Sequence, residues 1–156
     1  MSEVNLRHVR TEEQRALYEK IQEAKVCSFC EDFCRGQAPT FHPNPVLKET
    51  RYWAFTECFP PYEGAKFSFL IVSKYLDKDG RHALFPHLPT QAWQEWGELI
   101  QWAVEKYDLP AGAFACRFGD TDYTGASISH LHAHLLFGGA KDGERLHMKL
   151  GYKQST

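Results

Sequence analysis

The sequence has no run of the roughly eighteen apolar residues that a transmembrane helix needs, no internal repeat, no low-complexity tract and no recognisable linker. It also lacks charge of one sign: 18 Lys and Arg against 20 Asp and Glu leave a formal net charge of −2. That balance argues against a chain that binds nucleic acid mainly through a basic surface. The first ten residues are polar and contain no apolar signal-peptide core, so the expected location is the cytoplasm. Five cysteines is an odd number, which favours metal ligation or free thiols over a disulfide framework. In positive terms, 43% hydrophobic and 14% aromatic residues in 156 positions suffice for one core but not two. The expectation is therefore one domain over residues 1–156.

Along the chain, Thr11 followed by Gln14 forms a capping box, and Leu17, Ile21 and Ala24 continue at helical spacing to about Val26. Residues 27–44 carry cysteines, Gly36, Pro39 and Pro43 and read as a loop-rich segment. Two strands are expected over 52–57 and 66–73, the first stopped by Pro60 and Pro61. Residues 75–80 form a turn or insertion. A long helix starts from Thr90 as N-cap, with Trp96, Leu99, Ile100, Ala103, Val104 and Tyr107 on its apolar face, and ends before Pro110 and Gly112. Residues 113–118 and 130–137 read as further strands, separated by a polar turn over 119–125. Helices and strands in this order make the chain α+β.

The last of these strands carries the chemistry. In His130-Leu131-His132-Ala133-His134-Leu135-Leu136-Phe137, side chains alternate between faces, so the three histidines share one face and Leu131, Ala133, Leu135 and Phe137 the other. Neighbouring imidazoles are then roughly 6.6 Å apart. The apolar set is expected to pack on the long helix. Two chemistries fit such a row: three histidines chelating one metal with an open position for water, or one imidazole acting as nucleophile between two helpers. The preceding Gly125-Ala126-Ser127-Ile128-Ser129 places main-chain N–H groups and hydroxyls that suit a phosphate oxygen.

These residues resemble a known family. The run from His130 to Leu136 fits the His-φ-His-φ-His-φ-φ signature (φ, apolar) of the histidine triad, or HIT, nucleotide-binding proteins. Gly125 and Ser127 upstream, Gly138 and Gly139 downstream, and Phe69-Leu70-Ile71-Val72-Ser73-Lys74, with serine where proline is usual, extend the likeness over about residues 27–139. The resemblance implies a hydrolase or transferase that releases a nucleoside monophosphate from an ester, anhydride or phosphoramidate through a nucleotidyl-histidine. It implies His132 as nucleophile with its other nitrogen held by a backbone carbonyl, and His134 and His130 as phosphate contacts. Ser127 and Gly125 would sit at the α-phosphate, and Glu57 where the family places an acidic residue for the ribose. A purine nucleotide such as AMP or a dinucleoside polyphosphate is the implied ligand. A homodimer and a five-stranded antiparallel sheet with the long helix on one face are implied too; the fifth strand is not legible in the residues themselves.

Cys27 and Cys30 form a Cys-x-x-Cys pair, with Cys34 one turn beyond. The residues alone leave a redox pair, unrelated thiols or half of a zinc site open. By resemblance to bacterial HIT members the pair binds structural zinc with two histidines, the first of the triad, His130, and one after the apolar strand. That second histidine is displaced here: His82 is expected to supply it, with His87 as rival. Arg117 is a candidate phosphate contact that Asp120 and Asp122 would partly neutralise. Trp53, Trp96 and Trp102 read as core or dimer residues, Ser129 as structural, and His8, His42 and His147 have no assignable partner. A nucleotide-binding module with little catalysis and a three-histidine metallohydrolase stand as the competing functions.

Overall fold

A computed structural model of the chain describes residues 3–82, 84–138, 143 and 145–151. Gly139 of the triad motif, Ala83 and much of the tail after Lys141 lie outside the described residues. The elements are α1 (Glu12–Ala24), β1 (Val46–Glu49), β2 (Trp53–Glu57), β3 (Phe67–Ser73), α2 (Thr90–Lys106), β4 (Ala113–Arg117), α3 (Thr121–Thr124) and β5 (His132–Phe137). The five strands form one antiparallel sheet in the order β1-β2-β3-β5-β4. This is the expected α+β architecture, and β1 is the strand the residues did not announce. It is short, bulged near Val46 and exposed at an edge, so it has no apolar alternation to read.

Both faces of the sheet are buried. On one, Trp53, Phe55, Phe69, Ile71, Leu131, Ala133 and Leu135 pack with Leu99 and Ala103 of α2. On the other, Ala54, Leu70, Val72 and Leu136 pack with Tyr18 and Ile21 of α1, with Phe29 and Phe33, and with Val4 and Ile128. The alternation of β5 therefore divides two cores: Ala133 and Leu135 face α2, and the histidines, with Leu136, face a second apolar layer brought in by the N-terminal third of the chain. Burying a large apolar side chain contributes about 1.5–3 kcal/mol.

α1 starts as expected. Thr11 Oγ1 accepts from Gln14 N at 3.1 Å, while Gln14 Oε1 reaches back to Arg10 N at 2.7 Å. The helix ends at Ala24 with Lys25 in the left-handed region. The start of α2 departs from expectation. Pro89 holds the capping position in extended backbone and Thr90 is the first helical residue. Pro89 has the fixed φ of a rigid entry, which leaves Thr90 no need to cap. Val104 is exposed rather than on the buried face. Residues 27–44 are not simply loop: Ser28 and Phe29 are helical and Cys30–Cys34 forms a π-helical turn. That turn is stabilised by burial of Asp32 and Phe33, not by a periodic apolar stripe. Residues 119–125 hold α3, whose N-cap Asp120 accepts from Asp122 N at 2.9 Å. No helix among the described residues is long and apolar enough to cross a membrane.

Candidate functional site

The two histidines of β5 and His130, two residues before it, divide between two neighbouring sites. His130 precedes the strand, is fully buried and faces the Cys27–Cys34 turn. Its ring Nε2 donates to the Ser73 carbonyl at 2.7 Å. That fixes the tautomer and leaves the Nδ1 lone pair aimed at Cys27 Sγ, 3.2 Å away, and Cys30 Sγ, 3.4 Å away. His82 Nδ1 lies 3.7 Å from Cys30 Sγ, while its Nε2 faces the Glu3 carboxylate at 3.7 Å. The donor atoms of Cys27, Cys30, His82 and His130 all lie within 4.8 Å of one another.

This set fits zinc. Two thiolates and two imidazoles are a common tetrahedral ligand set, and Zn–S near 2.3 Å with Zn–N near 2.0 Å puts neighbouring donors roughly 3.3–3.8 Å apart. The observed spacings are of that size, and each histidine turns its other nitrogen to an oxygen, as metal-bound imidazoles do. Leu76 and His82 form a β-bridge that closes the 77–81 turn. The turn thereby brings His82 back beside the residues that follow β3 and into the cluster. His87 lies in an exposed turn before α2 and is not in the cluster.

His132 turns the other way. Its Nδ1 donates to the His130 carbonyl at 2.7 Å, so Nε2 carries the lone pair. The ring is packed edge-on against Phe29, centroids 5.5 Å apart, and against His134 at 5.2 Å. Burial pushes its pKa down to about 4, so the imidazole is neutral. His134 is also buried and held well below the ordinary value by burial, by His132 and by the arginines beside it. Its Nδ1 lies 3.7 Å from Cys58 Sγ, and its Nε2 is buried with no hydrogen-bond partner. Among the described residues the three imidazoles form no common metal-binding group, because both nitrogens of His130 are committed elsewhere.

His132 and His134 form part of the wall of a cavity of about 500 Å³. Ser127 and Gly125 line it as well. Ser127 Oγ is 3.4 Å from the Tyr18 hydroxyl. Gly125 has φ +70°, and a Cβ there would stand 2.7 Å from the Gly151 carbonyl oxygen, so the C-terminal segment can pass close only over a glycine. Glu57 is exposed at the end of β2, and its side chain is not in the cavity wall. Its carbonyl accepts from His42 Nε2 at 2.9 Å and from Asn44 Nδ2 at 3.1 Å. The carboxylate that does line the cavity is Asp32, which accepts the backbone N–H groups of Thr40, Phe41 and His42 and is occupied in holding that loop.

Several lining residues were not legible beforehand. Arg7, His8 and Arg10 arrive because residues 3–5 are stitched to the turn before the triad: Val4 bridges Ile128, Asn5 N donates to Ser127 O at 2.8 Å, and Ser129 N donates to Glu3 O at 3.0 Å. His42, Cys58, Tyr62 and His147 also reach the cavity. The available signal was the clustering of Arg7, His8 and Arg10 within four residues. Asp120 and Asp122 do not neutralise Arg117. Asp120 caps α3, Asp122 accepts from Asn5 Nδ2 at 2.9 Å, and no described carboxylate pairs with Arg117.

With sheet order, strand register and the histidine row in hand, the backbone matches solved structures over about three quarters or more of its length. The fold is that of the histidine triad proteins. A HIT family hydrolase from Clostridium thermocellum superposes with a TM-score of 0.54 at 19% identity, covering 76% of this chain and 95% of that one. A Zn-bound histidine triad family protein from Mycobacterium smegmatis gives 0.54 at 15% identity, covering 83% and 84%. A histidine triad protein from Clostridium difficile gives 0.51 at 17%, covering 76% and 96%. No protein-family model and no curated protein matches the sequence. In this chain the Cys-His cluster sits at the N-terminal end of β5.

Proposed function

We propose that this protein is a nucleotide hydrolase or nucleotidyl transferase that works through a nucleotidyl-histidine. The observation that carries the reading is the hydrogen bond from His132 Nδ1 to the His130 carbonyl, which leaves the lone pair on Nε2 of a ring that lines a cavity rich in cations. A nucleophile at phosphorus needs that free pair. Nε2 attacks the α-phosphorus, the N–P bond forms, and the bond from phosphorus to the leaving group breaks with its electron pair on the departing atom. Water, or an acceptor alcohol or amine, then gives up a proton and attacks phosphorus, releasing the nucleotide and restoring His132. His134 Nε2, buried and unpartnered, supports this by contacting a phosphate oxygen. The Ser127 hydroxyl, in the same cavity wall as Gly125, completes the phosphate contacts.

Zinc, when bound, supplies a cross-link and no step of the reaction. Cys27, Cys30, His82 and His130 hold it, which ties the turn after α1 to the start of β5 and so to the carbonyl that orients His132. The direct test is incubation with a dinucleoside polyphosphate and with an adenosine 5′-phosphoramidate. Released AMP is expected, together with an acid-quenched adduct of one nucleoside monophosphate on His132. Binding of AMP without any release would favour a binding module instead.

The chain is also proposed to pair with a second copy. β4 is a sheet edge, and Phe114 and Phe118 are each 56% exposed, Phe114 edge-on to Trp96 and Phe118 stacked on Phe85. A contiguous exposed aromatic patch beside an open edge marks an interface. Light scattering at micromolar concentration should give twice the chain mass, and Phe114→Glu should return the mass to that of one chain. A wild-type monomer would overturn the pairing.

A further inference from the structure

The Cys-His cluster has a third thiol beside it that a four-coordinate metal does not call for. Cys34 ends the π-helical turn Cys30–Cys34, and its side chain is in contact with that of Cys30. Its Sγ donates to the Ser73 carbonyl at 3.7 Å, the oxygen that also accepts from His130 Nε2 at 2.7 Å. Cys34 thus touches one candidate ligand and shares the anchor of another. It is not among the four grouped donors, Cys27, Cys30, His82 and His130. Like Cys27 and Cys30 it is a free thiol and only half-buried, so a small solute reaches it.

Neither ligation nor packing accounts for this thiol. Two thiolates and two imidazoles already fill a tetrahedral zinc site. The hydrogen bond to Ser73 is long, a thiol is a weak donor, and the carbonyl has its partner in His130. The turn is anchored by Asp32 and Phe33, which are buried where Cys34 is not. What Cys34 does have is a second sulfur one turn away. Residues three or four apart on a helix hold their Cβ atoms about 5–6 Å apart, against about 3.5–4.5 Å in a disulfide. A modest tightening of the turn closes that gap. The turn is itself irregular, and π-helical turns recur at functional sites.

Resting on the zinc reading, we infer that Cys34 is an oxidative modification site: a peroxide oxidises it, and it then closes a disulfide with Cys30 that takes Cys30 out of the ligand set. With Cys27 and Cys30 committed as ligands, Cys34 is the thiol of the three whose sulfur is uncommitted. In the first step its sulfur attacks a peroxide oxygen, the S–O bond forms and the O–O bond breaks. The departing oxygen keeps the electron pair and takes up the thiol's proton, leaving as water when the peroxide is hydrogen peroxide. Cys34 is then a sulfenic acid. Cys30 sulfur attacks Cys34 sulfur; the S–S bond forms, the S–O bond breaks and hydroxide leaves. Two electrons have passed from the two sulfurs to one peroxide. Cys27, His82 and His130 remain, one donor short of a closed set. A reducing thiol reverses the disulfide by exchange and restores the fourth donor.

The test treats the zinc-loaded full chain with a small excess of hydrogen peroxide. Zinc release is followed with a chromogenic chelator, and the thiols by mass spectrometry after alkylation. Zinc should leave as two hydrogens are lost per chain, with a disulfide that maps to Cys30 and Cys34, and dithiothreitol should restore zinc binding. Cys34→Ser should load zinc as the wild type does and release it about tenfold more slowly under peroxide. A disulfide between Cys27 and Cys30, or zinc loss from Cys34→Ser at the wild-type rate, overturns the proposal and leaves the zinc reading standing. So does zinc release with oxygen added to Cys34 and no disulfide. A Cys34→Ser protein that folds but cannot be loaded makes Cys34 a ligand, which also overturns it. A wild-type chain that takes up no zinc overturns the zinc reading and the proposal with it. Should Cys34→Ser fail to fold, the disulfide map of the wild type decides.

Discussion

His132→Asn should remove turnover of any nucleoside phosphate substrate by about four orders of magnitude or more while leaving the melting temperature within a few degrees of wild type. The nucleophile is the lone pair on Nε2, and asparagine has no atom to replace it. Its side-chain amide can still donate to the His130 carbonyl, which accepts from Nδ1 at 2.7 Å in the wild type. His132→Ala should lose the same activity and also stability. The histidine face of β5 is not a solvent face. His132 is only 6% exposed, packed between Phe29 and His134. Alanine would leave a void and a buried carbonyl without its donor, a loss of about 1–3 kcal/mol from the unpaired group alone. Comparing turnover and thermal melts of the two variants separates chemistry from packing. Turnover in His132→Asn within tenfold of wild type would remove His132 as the nucleophile.

The second large effect is on stability. Stripping zinc with a chelator, or replacing Cys27 or Cys30 by serine, should lower the melting temperature by about 10 °C or more, since each kcal/mol is worth about 2–4 °C in a chain of this size. The four donors come from three separated places: the turn after α1, the 77–82 hairpin and the start of β5. Those segments are far apart in sequence, and bound metal would cross-link all three. His130→Ala should release metal as readily as Cys27→Ser does. It should also slow turnover, because the backbone carbonyl of residue 130 orients His132. Metal analysis beside the melts checks this. A metal-free protein as purified, with a melt insensitive to chelator, would rule out structural zinc. Equal metal loss from His130→Ala, His132→Ala and His134→Ala would instead place one metal among all three histidines.

The row of alternating histidines could be read from the sequence because strand alternation is local: residues two apart share a face whatever the rest of the chain does. The capping of α1 by Thr11 and Gln14, the helical run of α2 and the strands β2 and β3 were legible for the same reason, since each depends on residues within a turn or two. The Cys27–Cys30 pair was visible as a tight-turn donor pair, but its partners lie 52 and 100 residues away from Cys30; His82 was preferred to His87 only by resemblance, and folding is what brings it to the thiols. What the tertiary structure decided is what surrounds the row. Both faces of the sheet are buried, because α1 and the Phe29–Phe33 segment cover the histidines that sequence alone would leave facing a site open to water. The split of His130 from His132 and His134 follows from the hydrogen bonds of one ring to Ser73 and of the next to the His130 carbonyl, which residue spacing alone does not show and only the resemblance implied in part. Arg10 and Arg117 are separated by more than a hundred residues, and Tyr62 brings them together through a ring face and a hydroxyl. Local spacing determines which side chains share a face; long-range packing determines which of them are desolvated, charged and aimed at the same ligand.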